Sequence, residues 1–382
     1  MILQDISPIS REREMRKRIH SIFKRWAIIP VFLCLLIASP ERELRADTLV
    51  RIAVWNIETV GERNSAEYNA ALNIIGYLQP DVLGVNEVAS SADTGNFLDL
   101  AGDANYPYTL VPGSNPFGAM RNAFMSRFPI LQQAIHTSVS LSGDTQANDI
   151  TRLIPEITVD VPGNALDLTL LVEHWKAGSG NDDEFRRACE SLRIAQALAG
   201  RDSASEAYVV LGDVNEEIDS VPRSPNPFTS EPSGLPISFK LGQDLNQKLN
   251  GEGIPNDPFD NLKFSSQCYV EAMDALQLDG SAVTRYASNR RLDYIFLSQL
   301  LLDMNPLAEV YDSEDEGLPG GLPKYGDPPS PNASANASDH FLVFADIHVP
   351  GNPPIPEPAT LLLLAVGALG VLGYSRRRRN RR

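Results

Sequence analysis

Residues 208–217 read YVVLGDVNEE, and the way this stretch ends decides how the chain is read. Tyr208–Leu211 is a short apolar run, β-branched at its centre and closed by Gly212, which fits a buried strand better than a helix. Beyond it, Asp213 and Asn215 fall on one side of an extended chain and Val214 on the other. Asp and Asn also cap helices and build Asx turns. The pair alone therefore fits either a turn opening the next element or a site held at the tip of a rigid strand.

The pattern repeats outward. TLVRIAVWNI (48–57) and DVLGVNEV (81–88) read as strands, with SAEYNAALNIIGYLQ (65–79) between them as an amphipathic helix. Shorter strands are expected at NAFMS, PILQQAI and RLIPEITVDV, then at LDLTLLVEHW. A helix from about Asp182 to Leu198 precedes the opening stretch, and RLDYIFLS and FLVFADIHV follow it. Strands and helices mixed throughout indicate an α/β or α+β fold, not a helical bundle. Residues 219–265 are rich in Pro, Asn, Ser and Gly with little periodicity, and read as a surface insertion.

Both ends have the composition of targeting segments. REREMRKRIHSIFKR is followed by the apolar run 26–39, WAIIPVFLCLLIAS, and residues 1–46 read as a secretory signal peptide. At the other end a Pro-rich linker, 351–358, leads into the apolar segment and arginine-rich tail 359–382, a stop-transfer pattern. Pro356-Glu357-Pro358, the apolar run and the basic tail together resemble the PEP-CTERM sorting signal. That resemblance implies an exosortase-type enzyme as partner. It also implies export to the cell surface or extracellular matrix of a Gram-negative bacterium, with transient anchoring in the inner membrane.

The 382 residues carry 33 Lys and Arg against 49 Asp and Glu. Residues 1–46 hold 9 and 5 of these, and residues 357–382 hold 6 and 1, leaving 18 basic and 43 acidic residues and a net charge of −25 between the two ends. Such a domain repels polyanions at long range, so a phosphate must be met by local cations or a metal. Cys189 and Cys268, the two cysteines outside the ends, could form one disulfide if their geometry allows, and lack the spacing of a zinc site.

Polar residues recur where apolar runs end: Asn56 and Glu58, Glu87, His174, Asp213 and Asn215, then Asp293, Asp339 and His340. WNIE, VNEV, EHWKAG, LGDVNE, RRLDYIF and SDHFLVFADI resemble, in kind and order, the motifs of the endonuclease/exonuclease/phosphatase superfamily across about residues 48–349. The resemblance implies a catalytic domain over 47–350 built as a four-layer sandwich, two mixed β-sheets face to face with helices outside. It implies that Glu87 is the main ligand of a divalent metal, with Asn56, Glu58 and Asp339 around it. All-oxygen ligands suit Mg²⁺ or Mn²⁺, and structural Ca²⁺ is a further candidate in the acidic loops.

The same resemblance has Asp213 orienting or deprotonating the attacking water, or assisting the leaving group, and Asn215 donating to the phosphate or the nucleophile. His340 contacts the phosphate while Asp293 holds its ring, and His174 is a second phosphate contact. RNAFMSRFPI matches the segment before a substrate-facing loop, which makes Arg121, Asn122 and Arg127 candidate substrate contacts. The leading expectation is an exported, metal-dependent phosphodiesterase, a nuclease acting on extracellular DNA or RNA. The alternatives are a phosphoesterase on lipid or small-molecule phosphates, or a surface binding protein without catalysis.

Overall fold

The computed structural model describes residues 47–164, 166–218, 226–263 and 267–351, with the single positions 367 and 377. The expected signal peptide, its apolar run and nearly all of the C-terminal linker and tail lie outside the described residues. Among the described residues no helix is long and apolar enough to cross a membrane. Residues 47–350 form one unit.

Among the described residues, twelve strands divide into two six-stranded sheets. The first holds β1 (Thr48–Asn56), β2 (Val82–Val88), β3 (Tyr108–Leu110), β4 (Arg121–Ser126), β11 (Leu307–Tyr311) and β12 (Leu342–Val349), in the order β11-β12-β1-β2-β4-β3. The second holds β5 (Ile130–His136), β6 (Ile154–Asp160), β7 (Asp167–His174), β8 (Tyr208–Asp213), β9 (Glu271–Ala272) and β10 (Asp293–Leu297), in the order β5-β6-β7-β8-β10-β9. Each sheet contains one parallel pair, β1–β2 and β7–β8, and is otherwise antiparallel. Parallel neighbours end at the same edge, so four carboxyl-terminal strand ends are available to one place.

Alternation along the strands assigns the layers. Val50, Ile52 and Val54 of β1, Val209 and Leu211 of β8, and Val343, Ala345 and Ile347 of β12 fill the core between the sheets. Gly84 of β2 marks a close approach between them, since a Cβ there would run into Leu211 Cδ1. Behind the first sheet lie α1 (Ala66–Leu78), α2 (Ser91–Asp103) and a short helix, Ala333–Ala337. Ser65 caps α1 by accepting from the Tyr68 amide, and Ser90 caps α2 through the Asp93 amide. Behind the second sheet lies α3 (Asn181–Ala197), whose first turn carries Asp182, Asp183 and Glu184, favourable at a helix N-terminus.

The insertion is less superficial than its composition suggests. It contains α4 (Gln243–Gly251), and Phe239, Leu245, Leu249 and Ile254 bury a separate apolar cluster against Phe185, Ala188 and Cys189 of α3. Arg193 of α3 ties it down through Asp149 and Asp244, the latter at 2.6 Å. Cys189 and Cys268 are both buried and are not joined to each other, so the conditional disulfide is not formed. The Cys268 thiol donates instead to the Leu198 carbonyl.

Candidate active site

The four parallel strand ends meet across the sandwich. From the first sheet come Asn56 and Glu87, and from the second His174 and Asp213. Asp293 stands opposite Asp213 in the antiparallel register of β10 with β8, and His340 arrives just before β12. Asn56 Nδ2 lies 2.9 Å from Asp213 Oδ2 and 3.2 Å from Glu87 Oε1, linking the two sheets through one amide. Glu87 sits at an irregularity in the β2–β4 register, with φ at 65°, a backbone that non-glycine residues seldom adopt.

His340 Nδ1 is 2.7 Å from Asp293 Oδ2, and its Nε2 faces Asp213 Oδ2 at 3.9 Å and Asp339 Oδ1 at 3.7 Å. Burial disfavours the imidazolium, but Asp293, Asp213 and Asp339 together outweigh it and raise the His340 pKa to about 9. Asp213 moves up to about 6, through burial first and then the neighbouring Asp293 charge, with His340 and Asn56 opposing. Burial also raises Glu87, against the Asn56 amide and the Arg152 and His340 charges. His174 Nε2 stands 3.6 Å from Glu87 Oε1 and 3.5 Å from Asp213 Oδ2, and burial holds this ring neutral.

A second ring of contacts fixes these groups. The Asp213 amide donates to Asn86 Oδ1 at 2.9 Å. Asn86 Nδ2 donates to Glu173 O at 2.7 Å and to Asn122 Oδ1 at 2.9 Å, and Asn122 Nδ2 donates to Leu153 O at 3.0 Å. Buried amides of the first sheet therefore hold the backbone of the second directly behind Asp213. Trp55 Nε1 donates to the His340 carbonyl at 2.9 Å, and Thr284 Oγ1 accepts from the Asp293 amide at 3.0 Å.

Not every expected residue joins the centre. Glu58 is exposed, and its amide donates to Asn56 Oδ1 at 3.1 Å. Asp339 is half-buried and paired with Arg285 at 2.7 Å. Asn215 donates from Nδ2 to Trp175 O at 3.1 Å, while its amide donates to Asp213 Oδ1 at 2.9 Å. The opening stretch is thus a turn that also presents Asp213 to this centre. Arg121 bonds Gly113 O and Thr94 Oγ1.

Two of the expected substrate contacts are placed away from the centre. Asn122 is a buried strut, with both ends of its amide used between the sheets. Arg127 follows Ser126, which pairs with Val82 at the start of β2, so it lies at the opposite edge of the sheet. There it bonds Gln79 O and covers the Tyr106 ring. Arg152 has no motif signal, yet its guanidinium interacts with Glu87 and Asp213. It is held by His174 O at 3.1 Å and Trp175 O at 3.0 Å. Its position just before β6 was the one available hint.

The sequence profile of the Endonuclease/Exonuclease/phosphatase family matches residues 53–340, spanning the whole constellation from β1 to His340. The chain belongs to the endonuclease/exonuclease/phosphatase family. A second profile, the PEP-CTERM protein-sorting motif, matches residues 354–379. Similar solved structures include a family member from Bacteroides vulgatus, 15% identical, covering 79% of this chain and 99% of that one with a TM-score of 0.47. The human Nocturnin catalytic domain with bound sulfate is 17% identical, covering 79% and 95% with a TM-score of 0.46. D. rerio TDP2 complexed with single strand DNA product is 16% identical, covering 79% and 99% with a TM-score of 0.43. No curated protein matches the chain.

Proposed function

We propose that this endonuclease/exonuclease/phosphatase domain is an exported, divalent-metal-dependent phosphodiesterase whose substrate class is nucleic acid. The observation that carries the reading is the placing of His340 Nε2 3.9 Å from Asp213 Oδ2, two buried neighbours of which His340 is held charged and Asp213, although raised to about 6, is still ionised at neutral pH. Such a pair supplies an ionised base and a charged donor side by side. Asp213 takes a proton from the attacking water as the water oxygen bonds to phosphorus, the P–O ester bond to the leaving oxygen breaks, and that oxygen takes up a proton from solvent. His340, oriented by Asp293, donates from Nε2 to the phosphate oxygens as negative charge builds on them. Arg152 supplies a second fixed cation beside the same phosphate.

The donor set also fits a hard divalent cation. Glu87 and Asp213 share a single amide donor, Asn56 Nδ2, and burial raises both carboxyls, a shortage of positive charge that a cation relieves. Glu87, with Asn56 and Asp339 on its flanks, would hold Mg²⁺ or Mn²⁺. The ligand atoms of Asp213, Asp293 and His340 also lie within 4.8 Å of one another. A charged imidazole bonded to Asp293 competes with a cation there, which favours the Glu87 side. When bound, the metal would polarise a phosphoryl oxygen and lower the pKa of water.

The tail supports delivery through an exosortase-type enzyme to the cell surface. The test is hydrolysis of plasmid, single-stranded DNA, RNA and bis-p-nitrophenyl phosphate by the full-length chain, with Mn²⁺ or Mg²⁺ and with chelator. His340→Ala and Glu87→Gln run alongside. Metal-dependent cleavage lost in His340→Ala, with a raised metal requirement in Glu87→Gln, is the expected result. Cleavage unaffected by either substitution would refute the assignment.

A further inference from the structure

The ladder between β6 and β7 stops short of the site. Its register pairs Glu156 with Leu171, and continued past that pair it sets Thr151 opposite Lys176. Each of these residues has a backbone amide that needs an acceptor, and one side chain serves both. Glu190 of α3, 3% exposed, accepts from the Thr151 amide through Oε1 at 2.8 Å and from the Lys176 amide through Oε2 at 2.7 Å.

Arg152 stands between these two holds. It follows the first anchored amide, and its Nη1 donates to the His174 and Trp175 carbonyls, just before the second, at 3.1 and 3.0 Å. Arg186 lies one turn before Glu190 on the same face of α3 and donates from Nη2 to Thr151 Oγ1 at 3.0 Å. Its own guanidinium lies 4.8 Å from the Phe117 ring centroid and 5.8 Å from that of Phe239 in the insertion. A carboxylate on the helix behind the second sheet thus closes a ring around the arginine that faces Glu87 and Asp213.

We infer that Glu190 is a positioning residue: by fixing the Thr151 and Lys176 amides it sets where the Arg152 guanidinium meets the substrate phosphate. This inference rests on the reading of Arg152 as a phosphate contact given above. A cation that stabilises developing charge is effective when it is held in place before the charge appears. Carbonyls of the 174–175 segment hold the Arg152 guanidinium, while its backbone belongs to the 151–152 segment. Its aim therefore depends on the spacing of the two segments, and Glu190 is the side chain that spans them.

The test is a double-substitution cycle on the full-length chain: parent, Glu190→Gln, Arg152→Ala and the two combined. Two quantities are measured, kcat/KM on bis-p-nitrophenyl phosphate at fixed Mn²⁺ and the Kd for inorganic phosphate in Mg²⁺. Gln at this position keeps the shape and one acceptor, and gives up the charge and the second acceptor. It should lower kcat/KM about tenfold, against about 100-fold for Arg152→Ala. In the Arg152→Ala background the same change should move kcat/KM less than about twofold, and the phosphate Kd should follow the same pattern. Tm should fall in both backgrounds, because the amide left without its acceptor costs stability whether or not Arg152 is present.

An equal loss of kcat/KM in both backgrounds would overturn the inference, since a purely structural Glu190 acts without regard to Arg152. Parental kcat/KM in Glu190→Gln would overturn it as well. If Glu190→Gln does not fold, Thr151→Val carries the same cycle, because it removes only the hydroxyl that Arg186 bonds. It should cost about threefold in kcat/KM with Arg152 present and leave the Arg152→Ala background unchanged. Failure of the parent on every diester with every metal would overturn the phosphodiesterase reading, and the phosphate Kd then decides the inference by itself. A parent that neither cleaves a diester nor binds phosphate overturns both.

Discussion

Glu173 offers a test of the buried electrostatics that needs no substrate. It lies on β7 beside His174, is 1% exposed, and neither carboxyl oxygen has a hydrogen-bond partner. Burial pushes its pKa well above the ordinary glutamate value, and the Glu190 and Asp213 charges add to this. The Trp175 indole N–H eases the effect without completing a hydrogen bond. Below the unfolded-state pKa, about 4.3, both states hold the proton and the group is silent. Above it the unfolded chain releases the proton while the native carboxyl keeps it, so stability falls as pH rises toward the folded value.

The slope reaches at most about 1.4 kcal/mol per pH unit, so raising the pH by about two units should cost the parent up to about 3 kcal/mol that Glu173→Gln does not lose. For a domain of this size that is a difference in Tm growing by about 5 °C or more. Thermal unfolding of parent and Glu173→Gln across about pH 5.5 to 7.5 measures it. The amide also lacks partners and carries a constant penalty of its own, so the growth of the gap is the signal. A Tm difference that stays flat with pH would refute the argument that Glu173 is held protonated.

In the parent, the rate profile should show an acidic limb near 6 from Asp213 and an alkaline limb near 9 from His340. Asp293→Asn removes the main support of the imidazolium and should draw the alkaline limb down by about two pH units or more, lowering the rate about tenfold one unit above its new value. A limb that stays near 9 would disprove the coupling. Asn122→Ala cuts the amide strut behind Asp213 and leaves Asn86 Nδ2 short of a partner. It should cost about 1–3 kcal/mol in denaturant unfolding and lower kcat with the metal requirement unchanged. A change in metal requirement alone would contradict the positioning role. Because Cys189 and Cys268 are not joined to each other, a reducing agent should leave Tm unchanged, and a fall would indicate a bridge.

The strand ends were legible because buried strands and their polar tips are local events. Asn56, Glu87, His174, Asp213 and Asp293 each follow or open a run whose apolar pattern is plain. Direction was harder. Arg121 and Arg127 bracket the same strand, and only the antiparallel pairing of β4 with β2 shows that they stand at opposite edges. Arg152 was invisible for a related reason, since its neighbours Glu87 and Asp213 are distant in sequence. The helix Ser91–Asp103 was missed because Gly95, Asp99 and Gly102 dilute a narrow apolar stripe of Phe97, Leu100 and Ala101. The core of the insertion depends on Phe185 of α3, so its few apolar residues show no pattern by themselves.

The centre takes Asn56, Glu87 and His340 from one sheet and His174, Asp213 and Asp293 from the other. A chain in which each sheet has formed but the two have not docked holds every one of these side chains and leaves the two groups apart. For a family member that carries a PEP-CTERM sorting motif, docking of the two sheets is then the step on which the proposed activity depends.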